Sequence, residues 1–229
     1  MRRVRCPDGP AGAVFLSLSH PLPVWPYRRV HVDGKIRPRL MERRLLLRMG
    51  EMGEDSEPLM RIGHGYDIHR LAPGLQLTVG GVKIDYEKGT EAHSDGDVIF
   101  HSLCDAVFGA LALPDIGQQF PDTDPKWKDA SSDLFMEDAW RQMEERGYRL
   151  GNVDVTLILE RPKVKDLKAG MKDNICRLMR VPPSQVNIKA RTHEKVDSVG
   201  ENRAIECHVV VLLERKMDAL PERSQTGAR

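Results

Sequence analysis

From residue 60 to about 215 the hydrophobic period alternates between that of strands and that of helices. The order of these segments limits the fold more than any other feature. Arg61 to Leu71 and Leu75 to Ile84 read as strands, the second alternating apolar and polar residues with Gly80-Gly81 as a bulge or bend. In "HSDGDVIFHSLCDAVFGALAL", Ser94 or Asp95 can cap a helix whose apolar positions Val98, Ile99, Leu103, Val107, Ala110 and Leu111 follow helical spacing. "PDIGQQFPDTDP" reads as a loop, Ser131 to Arg146 as a second helix stopped at Gly147, and Asn152 to Glu160 as a β-branched strand. A third helix runs from Lys165 to Arg180, ahead of Pro182-Pro183, and the strands "QVNIKART" and "AIECHVVVLLER" come after it. The order ββααβαββ predicts an α+β domain, one mixed β-sheet with helices packed on one face.

The charges, 35 basic against 34 acidic, balance to +1 over 229 residues, so no global pull toward nucleic acid or anionic membrane is expected. No apolar run approaches the roughly 20 residues needed to span a bilayer, and a soluble protein is expected. Cys6, Cys104, Cys176 and Cys207 are scattered without a Cys-x-x-Cys pair, which predicts buried free thiols in a reducing compartment.

Residues 1–59 differ in composition from the rest of the chain. Through Gly50 they carry eleven Arg or Lys against Asp8, Asp33 and Glu42, with prolines and short apolar bits in no regular period. An organelle transit peptide would also be Ser-rich, whereas only Ser17 and Ser19 occur before residue 50; a secretory signal would need an apolar core that is absent after "MRRVR". With Met60 immediately before "RIGHGYD", the favoured reading is a disordered leader or a start placed too early. Residues 60–216 are then the domain, residues 217–229 a disordered tail, and the location cytoplasmic, with a plastid as the alternative.

Within the domain, Asp67 and His69 are two apart on a strand and share a face. Asp97, His101 and Asp105 are four apart on a helix and share a stripe. Two imidazoles and a carboxylate with one open position form the pattern of a catalytic zinc site, although an Asp-x-His pair by itself is more often a hydrogen-bonded histidine. Asp115, Asp122 and Asp124 fit turn capping as well as a polyol or metal contact. In "KARTHEK", Thr192 can donate to a phosphate and Glu194 can hold a hard cation, but a solvated charged turn explains the same residues.

The blocks "RIGHGYDIH", "AHSDGDV", "LPDIGQQFPDTDP", "GNVDVT" and "KARTHEK" stand in an order and spacing that resemble the 2-C-methyl-D-erythritol 2,4-cyclodiphosphate synthases of the non-mevalonate isoprenoid pathway. The resemblance covers residues 60 to about 215. It implies a homotrimer with an active site at each subunit interface, divalent metal cations as cofactors (zinc, plus magnesium or manganese), and a small-molecule, cytidine diphosphate-linked substrate, with neither nucleic acid nor membrane as partner. Zinc would be held by Asp67, His69 and His101, and the second ion by Glu194. His93 and Ser94 would contact the substrate phosphate. Asp115, Ile116, Gly117 and the run Phe120 to Asp124, with Asp122, would line the erythritol pocket. Cytidine would lie against Leu159 to Lys165 and against Arg191 and Thr192. His93 and Thr192 are the candidates for stabilising transition-state charge.

The implied reaction is attack of the substrate's own 2-phosphate on the β-phosphorus, closing a cyclic diphosphate and releasing CMP. A phosphate monoester with a second pKa of about 6 is already ionised at neutral pH, so no general base is required. Two departures from the family pattern stand out. Arg191 replaces a common threonine and adds a charge near the nucleotide. Ser198 replaces a common aromatic residue and removes apolar surface expected at the threefold axis. In "GENRAIE", Glu201 and Arg203 exchange the signs of a family Arg/Glu pair, so that either a ring of pairs between subunits or a solvated turn is expected. The rival readings are a zinc phosphohydrolase and a metal-stabilised trimeric binding module without turnover.

Overall fold

A computed structural model describes residues 57–127 and 130–216. The expectations for residues 1–56 and for the tail after Lys216 lie outside the described residues. In chain order the elements are β1 (Met60–Pro73), β2 (Leu77–Val79), β3 (Val82–Ile84), β4 (Lys88–Glu91), α1 (Val98–Ala110), α2 (Ile116–Gln119) and α3 (Asp133–Glu145). They continue with β5 (Tyr148–Ile158), α4 (Lys168–Met179), β6 (Val186–Arg191), α5 (Asp197–Gly200) and β7 (Ala204–Arg215). Five strands form one mixed sheet in the order β4-β1-β7-β5-β6, and the only neighbours in it that run parallel are β5 and β6. The expected α+β class holds.

The period of two in β1 and β7 sorts residues between the faces. Gly63, Gly65, Asp67 and His69 stand opposite Val211, Val209, Cys207 and Ile205, and this face packs on the helices. The two glycines have a steric reason. A Cβ on Gly63 would lie 1.8 Å from the Ala106 carbonyl oxygen, and one on Gly65 1.8 Å from that of Ser102. Helix α1 therefore rests on bare backbone, closer than any side chain would permit. Phe100, Leu103 and Phe108 of α1, Met136 of α3, Leu157 of β5 and Ile175 of α4 fill the buried layer.

The other face of β1 and β7 is open. Ile62, Tyr66, Ile68 and Val210 are 74%, 43%, 42% and 45% exposed. Beside them His64 Nε2 lies 3.2 Å from His208 Nδ1, and the Tyr66 hydroxyl donates to Glu206. At the start of β7, Arg203 and Glu201 pair within the chain at 2.6 Å, both largely exposed.

Three local expectations need correction. Leu75 to Ile84 is a hairpin, not one bulged strand: β2 and β3 pair through Val79↔Val82, and Gly80 and Gly81 both take positive φ (58° and 71°). A two-residue turn with two positive φ angles suits glycine and matches the twist of the strands it joins. The cap of α1 is neither Ser94 nor Asp95 but Asp97, which accepts from the N–H groups of Ile99 and Phe100. The same carboxylate accepts from Gly80 and Gly81, tying the hairpin turn to the helix start. Strand β4 has no counterpart among the expected elements, because "KGTE" carries no β-branched alternation.

Residues just before Met60 make contacts with the strands. The Tyr148 hydroxyl donates to the Pro58 carbonyl at 2.7 Å, Arg61 pairs with Glu57, and the Arg215 N–H donates to the Leu59 carbonyl. Cys104 and Cys207 are buried free thiols and Cys176 is a half-buried one, as expected; Cys6 lies outside the described residues.

Candidate active site

The approach of α1 to the glycines of β1 assembles the metal centre. Asp67 and His69 project from the helix face of β1. His101 descends from α1, one residue before the Ser102 whose carbonyl Gly65 accommodates. Asp67 Oδ2 lies 3.0 Å from His69 Nε2 and 3.0 Å from His101 Nδ1, and the two nitrogens are 3.3 Å apart. A tetrahedral ion with bonds of 2.0–2.1 Å requires ligand atoms about 3.3 Å from one another. The triad's two nitrogens and one oxygen, 3.0–3.3 Å apart, come close to that spacing and leave a fourth position, so the set fits a divalent cation. Among the described residues it is the one such cluster of three.

Electrostatics favour the charged carboxylate. Burial pushes the Asp67 carboxyl up, but hydrogen bonds and charge from His101 and His69 outweigh it and hold the group well below the usual carboxylate range. For His101, burial disfavours the imidazolium, and the Asp67 hydrogen bond and charge overcome that and raise its pKa. Asp97, expected on one stripe with His101, is committed to capping; Asp105 accepts from the Ile116 N–H at 2.7 Å and anchors the loop instead of joining the centre.

A cleft opens beside the triad. Its walls bring His93 and Ser94 together with Ile116, Gly117, Phe120 and Asp122, and Trp127 and Phe135 close it. Asp115 and Asp124 are not on this wall. Asp115 caps α2 by accepting from the Gln118 N–H, and Asp124 pairs with Lys126. Both also accept a backbone N–H of their own turn, Asp115 from Gln118 and Asp124 from Lys126, as one of the two readings open from spacing expects.

A second cleft lies at the ends of β5 and β6, between Leu159, Pro162, Lys163 and Lys165 on one side and Lys168, Arg191 and Thr192 on the other. Next to it the Thr192 hydroxyl donates to Glu194 at 2.9 Å. Since β1 runs parallel to β5 and β6, all three end on the same edge of the sheet. β7 and β5 separate β1 from β6, so these two strands lie about 14 Å apart at the usual strand spacing. The two clefts share no residue.

Sequence reasoning missed several of these residues. Trp127, Phe135 and Lys168 stand in no motif that the sequence singles out. Ser132 reads only as the start of a helix, and its contact with His101 across 31 positions leaves no local signal.

Fold and site define a class: an α+β domain in which a helix laid on strand glycines completes an Asp-His-His centre beside a divided cleft. The chain belongs to the YgbB family, whose model matches residues 60–214. It is 60% identical over 156 residues to "2-C-methyl-D-erythritol 2,4-cyclodiphosphate synthase, chloroplastic" of Catharanthus roseus, covering 68% of this chain and 66% of that one. It is 47% identical over 157 residues to the synthase of that name from Listeria innocua, across 69% of this chain and all of the relative. A solved structure titled "IspF (Plasmodium falciparum) CDP complex" superposes with a TM-score of 0.63 at 38% identity, covering 71% of this chain and all of that one.

Proposed function

We infer that the chain converts 4-diphosphocytidyl-2-C-methyl-D-erythritol 2-phosphate to 2-C-methyl-D-erythritol 2,4-cyclodiphosphate with release of CMP, a phosphorus–oxygen lyase step in non-mevalonate isoprenoid precursor synthesis. One observation carries the reading: Asp67, His69 and His101 meet at the mouth of a cleft built from the same blocks that mark the family. Among the relatives, those named as this synthase include one matched over its whole length.

The nitrogen and oxygen donors of the triad suit zinc, and the carboxylate of Glu194 suits magnesium or manganese. Bound there, the cations would neutralise phosphate charge and polarise the attacked phosphorus. The remaining work falls to the protein. His93 and Ser94, on the wall next to the triad, are suited to hold the 2-phosphate and its charge. Phe120, Trp127 and Phe135 offer apolar surface to the methylerythritol chain, and the Ile116-Gly117 backbone with Asp122 offers polar contacts to its hydroxyls. Lys163, Lys165 and Arg191 surround the second cleft with positive charge, and Thr192 can turn its hydroxyl from Glu194 to a phosphate oxygen. Cyclisation needs a bent conformer held so that nucleophile and phosphorus meet, which is a gain by proximity.

A homotrimer completes this picture. The two clefts do not join within one chain, while the open face of β1 and β7 presents apolar side chains to water. Packing that face against neighbours would bring the nucleotide cleft of one subunit to the metal cleft of the next. For location, the plant relatives carry the word chloroplastic. With the basic, acid-poor leader this supports a plastid over the cytoplasm, and import of a leader–fluorescent protein fusion into isolated plastids tests it.

The deciding experiment follows phosphorus NMR of the diphosphocytidyl substrate with the purified protein, with and without chelator. The expected result is metal-dependent appearance of a cyclic diphosphate and CMP in equal amounts. An acyclic product would favour the phosphohydrolase reading, and no turnover the binding module.

A further inference from the structure

His101 has a second side. Its Nδ1 faces the triad, and its Nε2 lies 3.0 Å from the Ser132 hydroxyl and 3.2 Å from that of Ser94. Ser132 is fully buried at the start of α3 and is held twice by one carboxylate: its backbone N–H donates to Asp95 Oδ2 at 2.9 Å, and its hydroxyl donates to Asp95 Oδ1. Asp95 is fixed in turn by its own N–H on the Ala130 carbonyl and by the Asp97 N–H on its Oδ1.

A hydroxyl has one proton. With that proton given to Asp95, Ser132 can only accept from His101, so Nε2 carries the hydrogen, and once the proton that Nδ1 shares with Asp67 is given up, Nδ1 is the nitrogen left to a metal. We propose that Asp95 and Ser132 are positioning residues that set the tautomer and ring angle of His101 for metal binding. Outer partners of this kind are worth about 10–100-fold in metal affinity. The inference rests on reading the triad as a zinc site.

Substitutions at the two positions should not act independently. Ser132→Ala removes the acceptor and should weaken zinc binding by about 10–100-fold. Asp95→Asn should do at least as much by a different route. Its carbonyl would take the Ser132 N–H and its amide would donate to the Ser132 oxygen, turning the serine proton against Nε2. Removing Ser132 as well removes that misdirected proton. The double variant should therefore bind zinc no more weakly than Ser132→Ala.

The measurement is zinc affinity of the full chain by competition with a chromophoric chelator. Single variants within about threefold of wild type, well short of the 10–100-fold expected, would overturn the proposal. So would losses that multiply in the double variant. If a variant does not fold, long-range ¹⁵N–¹H spectra of the zinc-loaded wild-type protein test the same point: a slowly exchanging proton on His101 Nε2 is expected, and a freely exchanging one would sink the relay. A wild-type protein that takes up no zinc at all would instead remove the metal reading beneath it.

Discussion

His101 is the residue on which both halves of the centre depend, because it alone comes from the helix. Helix α1 keeps its buried face of Val98, Ile99, Leu103 and Val107 without the imidazole. His101→Ala should thus leave the fold intact while lowering bound zinc and slowing CMP release by more than ~100-fold. Metal analysis beside circular dichroism and a turnover assay checks this; stoichiometric zinc with normal turnover would refute the assignment. Asp97 shows how far a residue's role can depart from its spacing. Its carboxylate collects four N–H groups. Asp97→Asn sets an amide N–H₂ against at least one of them, and should cost about 2 kcal/mol at neutral pH.

That cost should depend on pH. Burial pushes the Asp97 carboxyl up, against the pull of the Gly81 and Gly80 N–H groups and with help from Asp95, to about 6. The folded value lies above the ~3.9 of an unfolded aspartate, so the folded state holds the proton more tightly. Ionisation therefore costs stability above pH about 6, and the cost fades as pH falls from about 6 toward 4. Asparagine does not titrate, so the lead of wild type over Asp97→Asn should widen by roughly 2 kcal/mol between pH ~7.5 and ~4.5. Denaturant melts at the two pH values decide it; a gap that narrows on acidification would contradict the assignment.

At the scale of elements, the contact of β1 with α1 sets both stability and metal geometry. Gly65→Ala drives a methyl into the Ser102 carbonyl, so the helix must lift from the strand. We expect a loss of about 3 kcal/mol together with weaker zinc binding, because His101 moves with the helix while Asp67 and His69 stay with the strand. Gly109 on the same helix is the control. A Cβ there meets nothing nearer than the His64 carbonyl at 4.0 Å, so Gly109→Ala should stabilise by about 0.5–1 kcal/mol through helix propensity and leave zinc affinity unchanged. If both substitutions behaved alike, close packing would not be the reason for the strand glycines.

For the whole molecule, two expectations concern its limits. A chain beginning at Met60 loses the Pro58 carbonyl from the Tyr148 hydroxyl and should melt lower by about 1 kcal/mol, with turnover unchanged; one beginning at Ser56 should match the full chain in both. Equal melting of the two truncations would mean that residues 57–59 contribute nothing. The pair of Glu201 and Arg203 is already made inside one chain and exposed. A double-mutant cycle on dissociation of the proposed trimer should accordingly be additive within about 0.5 kcal/mol, since such a pair is worth roughly 0–1 kcal/mol wherever it stands. A larger coupling would point to a ring of pairs between subunits.

The order and kind of the main elements are legible in the residues alone, since periods of two and 3.6 are written locally, residue against neighbour. The shared face of Asp67 and His69 is legible in the same way, because a strand alternates strictly. Family blocks supplied the remaining partner and the chemistry. What Gly63 and Gly65 are for emerges only in three dimensions, since the atoms they make room for belong to a helix some 40 positions away. Folding likewise made the expected bulge or bend at Gly80-Gly81 a hairpin turn, gave Asp97 of the shared stripe to capping, and brought Ser132 and Asp95 behind His101. A side chain's partner across the fold is set by packing distance and by competition for protons, and neither leaves a period in the sequence.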